Sequence, residues 1–243
     1  MKIAVCVAGL LVLAAVGTDF PAGWACAQSP KDPLAQLLSC VDQQNKGLRD
    51  FSARVRQQKF FADLGDEVTF QGSVAYARPH QMLWKFTQPD PSSLLLNSAG
   101  AWLIVPGIKQ IQKVEASGSS DVHDRINALF LGFEKPLSEM AKSCPMEWAG
   151  EDMLPQGPAQ RVKLFRPQDP HASEVTIWFD RLRFFPLRVR WATAQGDITT
   201  NDFFDIQINR GIDRHIFELV IPPGYEIIGQ SSPATVQEHK VRG

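Results

Sequence analysis

Between residues 68 and 78 the apolar side chains fall on even numbers. Val68, Phe70, Gly72, Val74 and Tyr76 alternate with Thr69, Gln71, Ser73 and Ala75. A period of two sorts side chains onto the two faces of an extended strand and does not fit a helix. The alternation returns at Met82, Trp84 and Phe86, at Val175, Ile177 and Phe179, and at Leu187, Val189 and Trp191. Strand-like runs also occupy Phe51 to Phe60, Leu94 to Asn97, Trp102 to Val105, Phe203 to Ile208 and Ile216 to Ile221, with Ser98-Ala99-Gly100 as a hairpin signal between two of them. Further runs, among them Glu147 to Gly150 and Gln160 to Phe165, bring the expectation to about ten or eleven strands. With short turns and no βαβ rhythm they predict one antiparallel sheet curled into a half-open barrel.

A strongly curved sheet has a concave apolar face that must be covered, and two helical segments can cover it. Asp32 is placed as an N-cap and Pro33 at the first helical position, ahead of Leu34, Leu37, Leu38 and Val41 at helical spacing. In mid-chain, Asp121 precedes a stripe of Val122, Ile126, Leu129, Phe130 and Phe133, and Leu137, Met140, Ala141 and Cys144 recur at i, i+3, i+4 and i+7. The expected covers are therefore an N-terminal helix and a mid-chain helical lid.

Residues 3–18 carry no charge; Lys2 precedes them, and Asp19, Pro21, Gly23 and Ala25-Cys26-Ala27 follow. This reads as a secretory signal cleaved near Ala27. The mature chain would then hold 243 − 27 = 216 residues, with one domain over residues 28–228 and a flexible tail over 229–243. Acylation of Cys26 is the competing reading, although Gly23 and Trp24 stand where a lipidation signal wants a leucine and a small residue. Cleavage removes Cys6 and Cys26. Cys40 and Cys144, each beside a helical stripe, then form a candidate disulfide in an oxidising compartment, two buried thiols being the alternative.

The 25 Lys and Arg against 26 Asp and Glu leave a net charge of −1, which gives no field for gathering nucleic acid. The five histidines, at 80, 123, 171, 215 and 239, have no metal-ligand spacing. No phosphate loop, dinucleotide glycine pattern, nucleophile elbow or CxxC occurs. No catalytic residue, metal or cofactor is expected, and the chain is read as a non-enzyme and a monomer.

Arg78 continues the even-numbered series, so its guanidinium is expected on the apolar side. Pro79 ends the strand there. An arginine at that rim needs acceptors, and carbonyls at the end of a lid helix would serve. The plainer reading is a strand-end arginine reaching to water.

The run Gly72-Ser73-Val74-Ala75-Tyr76-Ala77-Arg78-Pro79, then Met82-Leu83-Trp84-Lys85-Phe86, Pro89-Asp90, Asn97-x-x-Gly100-x-Trp102 and Lys109-Gln110-Ile111-Gln112, resembles the LolA family of periplasmic outer-membrane lipoprotein carriers. Phe179-Asp180, Pro186-Leu187, Phe217 and Pro222-Pro223-Gly224 extend the likeness more loosely, so that it runs from about Leu34 to Ile228. Two features depart from the family: the cysteine pair, and Val105-Pro106 where an aromatic-acidic pair is common.

The resemblance implies an incomplete barrel covered by helices, with Arg78 bonded to the lid and coupling its opening to cargo. It implies a periplasmic carrier that shields lipoprotein or lipid acyl chains, loaded by an inner-membrane lipoprotein-releasing transporter and unloaded to an outer-membrane acceptor. The cavity would be lined by Val68, Phe70, Val74, Tyr76, Trp84, Phe86, Leu96, Trp102, Leu129 and Phe130. Two alternatives share the fold: a lipid- or lipoprotein-sensing module that regulates a membrane partner, and an acceptor lipoprotein anchored through Cys26.

Overall fold

The computed structural model describes residues 32–114, 133, 135–165 and 173–228. Among these, α1 (Pro33–Lys46) leads into β1 (Asp50–Phe61), β2 (Asp66–Ala77), β3 (Gln81–Gln88), β4 (Ser92–Asn97), β5 (Gly100–Val105) and β6 (Gln110–Lys113). A single helical turn, α2 (Leu137–Met140), precedes β7 (Met146–Leu154), β8 (Gly157–Phe165), β9 (Glu174–Asp180), β10 (Pro186–Ala192), β11 (Ile198–Ile208) and β12 (Glu226–Ile228).

All twelve strands lie in one sheet, in the order β12-β6-β5-β4-β3-β2-β1-β11-β10-β9-β8-β7. Two antiparallel meanders, β1 to β6 and β7 to β11, are therefore stitched together by the long β1–β11 pair. The two edge strands, β12 and β7, do not pair with each other, so the sheet stays open. Residues on β5 and β8 stand eight strand positions apart, ~38 Å in a flat sheet, yet Ala101 and Val162 belong to one continuous core. Curling the sheet brings them together around a common filling.

The sheet differs from the sequence expectation at its C-terminal edge. Ile216 to Ile221 does not form a strand: Arg214–Phe217 is a 3-10 turn, with Asp213 Oδ1 accepting from the His215 N–H at 3.0 Å. Phe217 is buried by packing on the convex face, whereas Val220 and Ile221 stay exposed. The added strand is the three-residue β12, which pairs in parallel with β6 and makes the sheet mixed.

α1 follows its sequence signals. Asp32 Oδ1 accepts from the N–H groups of Leu34 and Ala35 at 3.0 and 3.2 Å, and Leu37, Leu38 and Val41 are buried. Asp42 on the outer side accepts from the Leu137 and Ser138 N–H groups at 2.6 and 3.2 Å, fixing α2 against α1. The predicted helix after Asp121, including Leu129 and Phe130, lies outside the described residues, as do the signal segment and the tail. α2 is shorter than its stripe implied: beyond Met140 the backbone tightens to i→i−3 bonds, Lys142 N–H to the Glu139 carbonyl and Ser143 N–H to the Met140 carbonyl, both 3.1 Å.

The Cys40–Cys144 bridge is not made. Cys40, buried within α1, is disulfide-bonded but not to Cys144, whose Sγ donates to the Phe165 carbonyl at 3.4 Å. Cys144 stands where the chain turns into β7, and the Phe165 N–H bonded to Pro145 (3.0 Å) holds it against the end of β8.

Candidate functional site

Register assigns the two faces of the sheet. Val55 pairs with Gly72 on one side and Phe203 on the other, Gln57 with Phe70 and Asn201, and Lys59 with Val68 and Thr199. Side chains of one parity share a face, so these rows continue the concave face that carries Val55 and Phe203. On β3, Trp84 and Phe86 oppose Val74 and Gly72 and belong to the same face.

At the end of the sheet nearest α1 the face is aromatic. Phe51 lies 5.3 Å from Tyr76, 4.9 Å from Phe133 and 5.1 Å from Phe185, centroid to centroid, and Phe133 lies 5.4 Å from Phe185. Such ring pairs contribute about 0.5–1.5 kcal/mol each beyond their area burial. Leu37, Leu38 and Val41 of α1 and Leu137 of α2 complete this core from above. Farther along the strands, Trp84 sits 5.9 Å from Phe203 and 6.2 Å from Phe86, and Phe86 sits 5.6 Å from Phe70.

Arg78 closes the aromatic end. It is half-buried, and its Nη2 donates to the Asn45 carbonyl in the last turn of α1 (2.9 Å) and to the Phe133 carbonyl (2.5 Å). Its own carbonyl accepts from Arg214 Nη1 at 2.7 Å. One guanidinium at the end of β2 thus holds α1 and the segment that precedes α2. The carbonyl acceptors that Arg78 was expected to need are present.

The predicted cavity residues divide into three groups. Val74, Tyr76, Trp84 and Leu96 are buried in the concave core; Phe86 packs on it; Phe70 and Val68 follow on the same face, half-buried. Trp102 is on the opposite face. Leu95 pairs with Trp102 and Leu96 with Ala101, so Trp102 joins Ala77, Leu95, Ile111 and Phe217 on the convex side, with Lys113 Nζ 5.8 Å from its ring. Leu129 and Phe130 lie outside the described residues.

Sequence reading missed Phe51, Phe133, Phe185 and Phe203 as members of this site. Phe51 and Phe203 begin and interrupt alternating runs, and Phe185 comes from the β9–β10 turn, where no period marks it. Also missed was the polar end of the face. Gln57 Nε2 donates to Asn201 Oδ1 at 2.9 Å, and both residues are buried. Lys59 Nζ lies 5.4 Å from the Phe70 centroid, and burial lowers its pKa below the ordinary lysine value. Among the described residues no cluster of His, Cys, Asp or Glu could hold a metal ion, and no helix is long and apolar enough to cross a membrane.

No family model matches the chain, and no curated protein does. Solved structures do. An uncharacterized conserved protein from Thermus thermophilus aligns over 80% of this chain and 98% of its own at 10% identity, with a TM-score of 0.53. With the Thermus protein this chain shares its fold. Other structural neighbours are a putative outer membrane lipoprotein-sorting protein domain from Vibrio parahaemolyticus (12% identity, 75% and 95% of the two chains, TM-score 0.41) and a LolA superfamily protein from Nitrosomonas europaea (11%, 76% and 97%, TM-score 0.39).

Proposed function

We propose that this chain is a periplasmic carrier that shields the acyl chains of lipoproteins against its concave face and passes them from the inner to the outer membrane. The observation that carries the reading is the pair of hydrogen bonds that Arg78 donates to the covers of a continuous apolar face. An exposed acyl chain costs about 0.8 kcal/mol per CH2 in water, so sixteen carbons cost about 13 kcal/mol. An interior of aromatic and aliphatic side chains removes that cost without covalent chemistry.

A carrier must also let go. Two hydrogen bonds from a charged donor stabilise the covered state by about 1.5–3 kcal/mol each. Breaking both on opening offsets only part of the acyl gain, so cargo binds, but less tightly than to an open apolar trough. Loading by an inner-membrane transporter and unloading to an outer-membrane acceptor follow from the sequence resemblance and belong to the same reading, as does a monomeric state.

The test is purification from the periplasm with mass spectrometry of what is bound, followed by a transfer assay. Acylated protein should co-purify, and Arg78→Leu should hold cargo but release it poorly to acceptor membranes. Normal release by the variant removes Arg78 from the mechanism. Purification with no acylated protein or lipid bound overturns the carrier reading itself.

A further inference from the structure

Resting on the acyl-carrier reading, we propose that the end of the concave face opposite Arg78 is a polar seat for the anionic head of an acidic single-chain lipid, a cargo additional to acylated proteins, with Asn201 Nδ2 and Lys59 Nζ donating to carboxylate or phosphate oxygens. Asn201 is 1% exposed; its Oδ1 is taken by Gln57, and its Nδ2 is buried with no hydrogen-bond partner among the described residues. A buried amide N–H left unpaired costs about 1–3 kcal/mol. Leucine at the same place would avoid that cost, and Val189 and Phe70, its neighbours across the row, show that apolar residues are accommodated there.

Lys59 supplies the charge. It sits two residues beyond Gln57 on the same face of β1, opposite Thr199, which makes it a diagonal neighbour of Asn201 within roughly 5–8 Å. Its ammonium is held over the Phe70 ring. Val68, Phe70, Thr199 and Trp191, which flank it on this face, carry no carboxylate. An amide N–H and an ammonium that converge on an apolar floor suit an acceptor oxygen with negative charge.

The spacing separates two tasks. Arg78 stands beside the Asp50 end of β1. From Phe51 to Lys59 the strand advances eight residues, ~26 Å, with Val55, Phe203, Trp84 and Phe86 between. A chain lying along the strands would have its head at Lys59 and its tail under the covers that Arg78 holds.

The test compares oleate, oleoyl lysophosphatidate and methyl oleate binding to the protein, read by tryptophan fluorescence, for wild type, Lys59→Met, Lys59→Arg and Asn201→Leu. At least one anionic ligand should bind about tenfold tighter than methyl oleate, and the stronger of the two identifies carboxylate or phosphate as the head. Lys59→Met should abolish the preference and Lys59→Arg keep it, with an unchanged urea midpoint as the sign of an intact fold. Asn201→Leu should weaken the preference in the same direction. Equal binding of charged and uncharged ligands, or a preference that survives Lys59→Met, overturns the seat and leaves the carrier reading standing. Failure of all three ligands to bind overturns both.

Discussion

Arg78 Nη2 and the Asn45 carbonyl oxygen meet at 2.9 Å, where the chain leaving β2 passes the last turn of α1. The same nitrogen reaches the Phe133 carbonyl, so two covers that are far apart in sequence share one donor. Arg78→Leu removes both bonds and leaves two carbonyls poorly paired, which should lower stability by about 3 kcal/mol or more. The loss should be local. Hydrogen exchange of the α1 amides should accelerate more than exchange in β1, and a uniform change across both elements would argue against a latch.

The fold was legible where a residue's own pattern decides its face. Even numbering placed Val74, Tyr76 and Arg78 correctly, and Asp32 with Pro33 marked the start of α1. Legibility failed where face depends on pairing. Trp102 alternates as well as Leu96 does, but the short Ser98-Ala99 connection pairs Asn97 with Gly100 and so sets Leu96 against Ala101, which turns Trp102 outward. Phe185 was invisible because a turn has no period. β12, three residues long, owes its existence to the edge offered by β6 rather than to its own sequence. The Gln57–Asn201 pair was hidden because polar residues in an alternating run read as the wet face, whereas here the curl of the sheet buries them.

Gly72 interrupts the apolar series for a reason of space. A Cβ there would stand 2.0 Å from the Lys85 carbonyl oxygen and 2.8 Å from the Phe86 Cα, both backbone atoms. The β2–β3 register shifts between Gln71 and Gly72, which lets β3 approach this closely. Gly72→Ala should therefore force the strands apart and cost about 1–3 kcal/mol, read as a lower urea midpoint. Gly107→Ala, with nothing within 4 Å of the added carbon, is the control and should be nearly silent.

His215 Nδ1 lies 2.9 Å from Glu218 Oε1 on the exposed 3-10 turn that leads Phe217 into the convex core. The hydrogen bond to Glu218, then the charges of Glu218 and Asp213, raise its pKa above 6.5. A raised folded-state value means that the folded chain holds the proton more tightly. The contribution is fully present below the unfolded value and is lost as pH rises through the folded one. An NMR titration should find His215 above 6.5, and Glu218→Gln should bring it down. An unchanged His215 midpoint in that variant would falsify the pairing.

Asp202 is the fully buried carboxylate of the opposite face. It accepts from Arg188 Nε at 2.6 Å, from Gln156 Nε2 at 3.3 Å and from Arg56 Nη2 at 3.2 Å, tying β10, the β7–β8 turn and β1 to β11. Arg188 also lies 5.8 Å from the Trp178 ring. Removing one partner of such a group leaves charge without compensation, so Asp202→Ala should cost about 3 kcal/mol or more. Arg56 is 44% exposed against 1% for Asp202, and water can take its place, so Arg56→Ala should cost less than about 1 kcal/mol. Urea denaturation of the two variants measures the difference, and equal losses would contradict it. Because this charge cluster pins the β1–β11 junction from the convex side, Asp202→Ala should also loosen the Gln57–Asn201 row directly behind it, seen as faster exchange of the Gln57 and Asn201 amides.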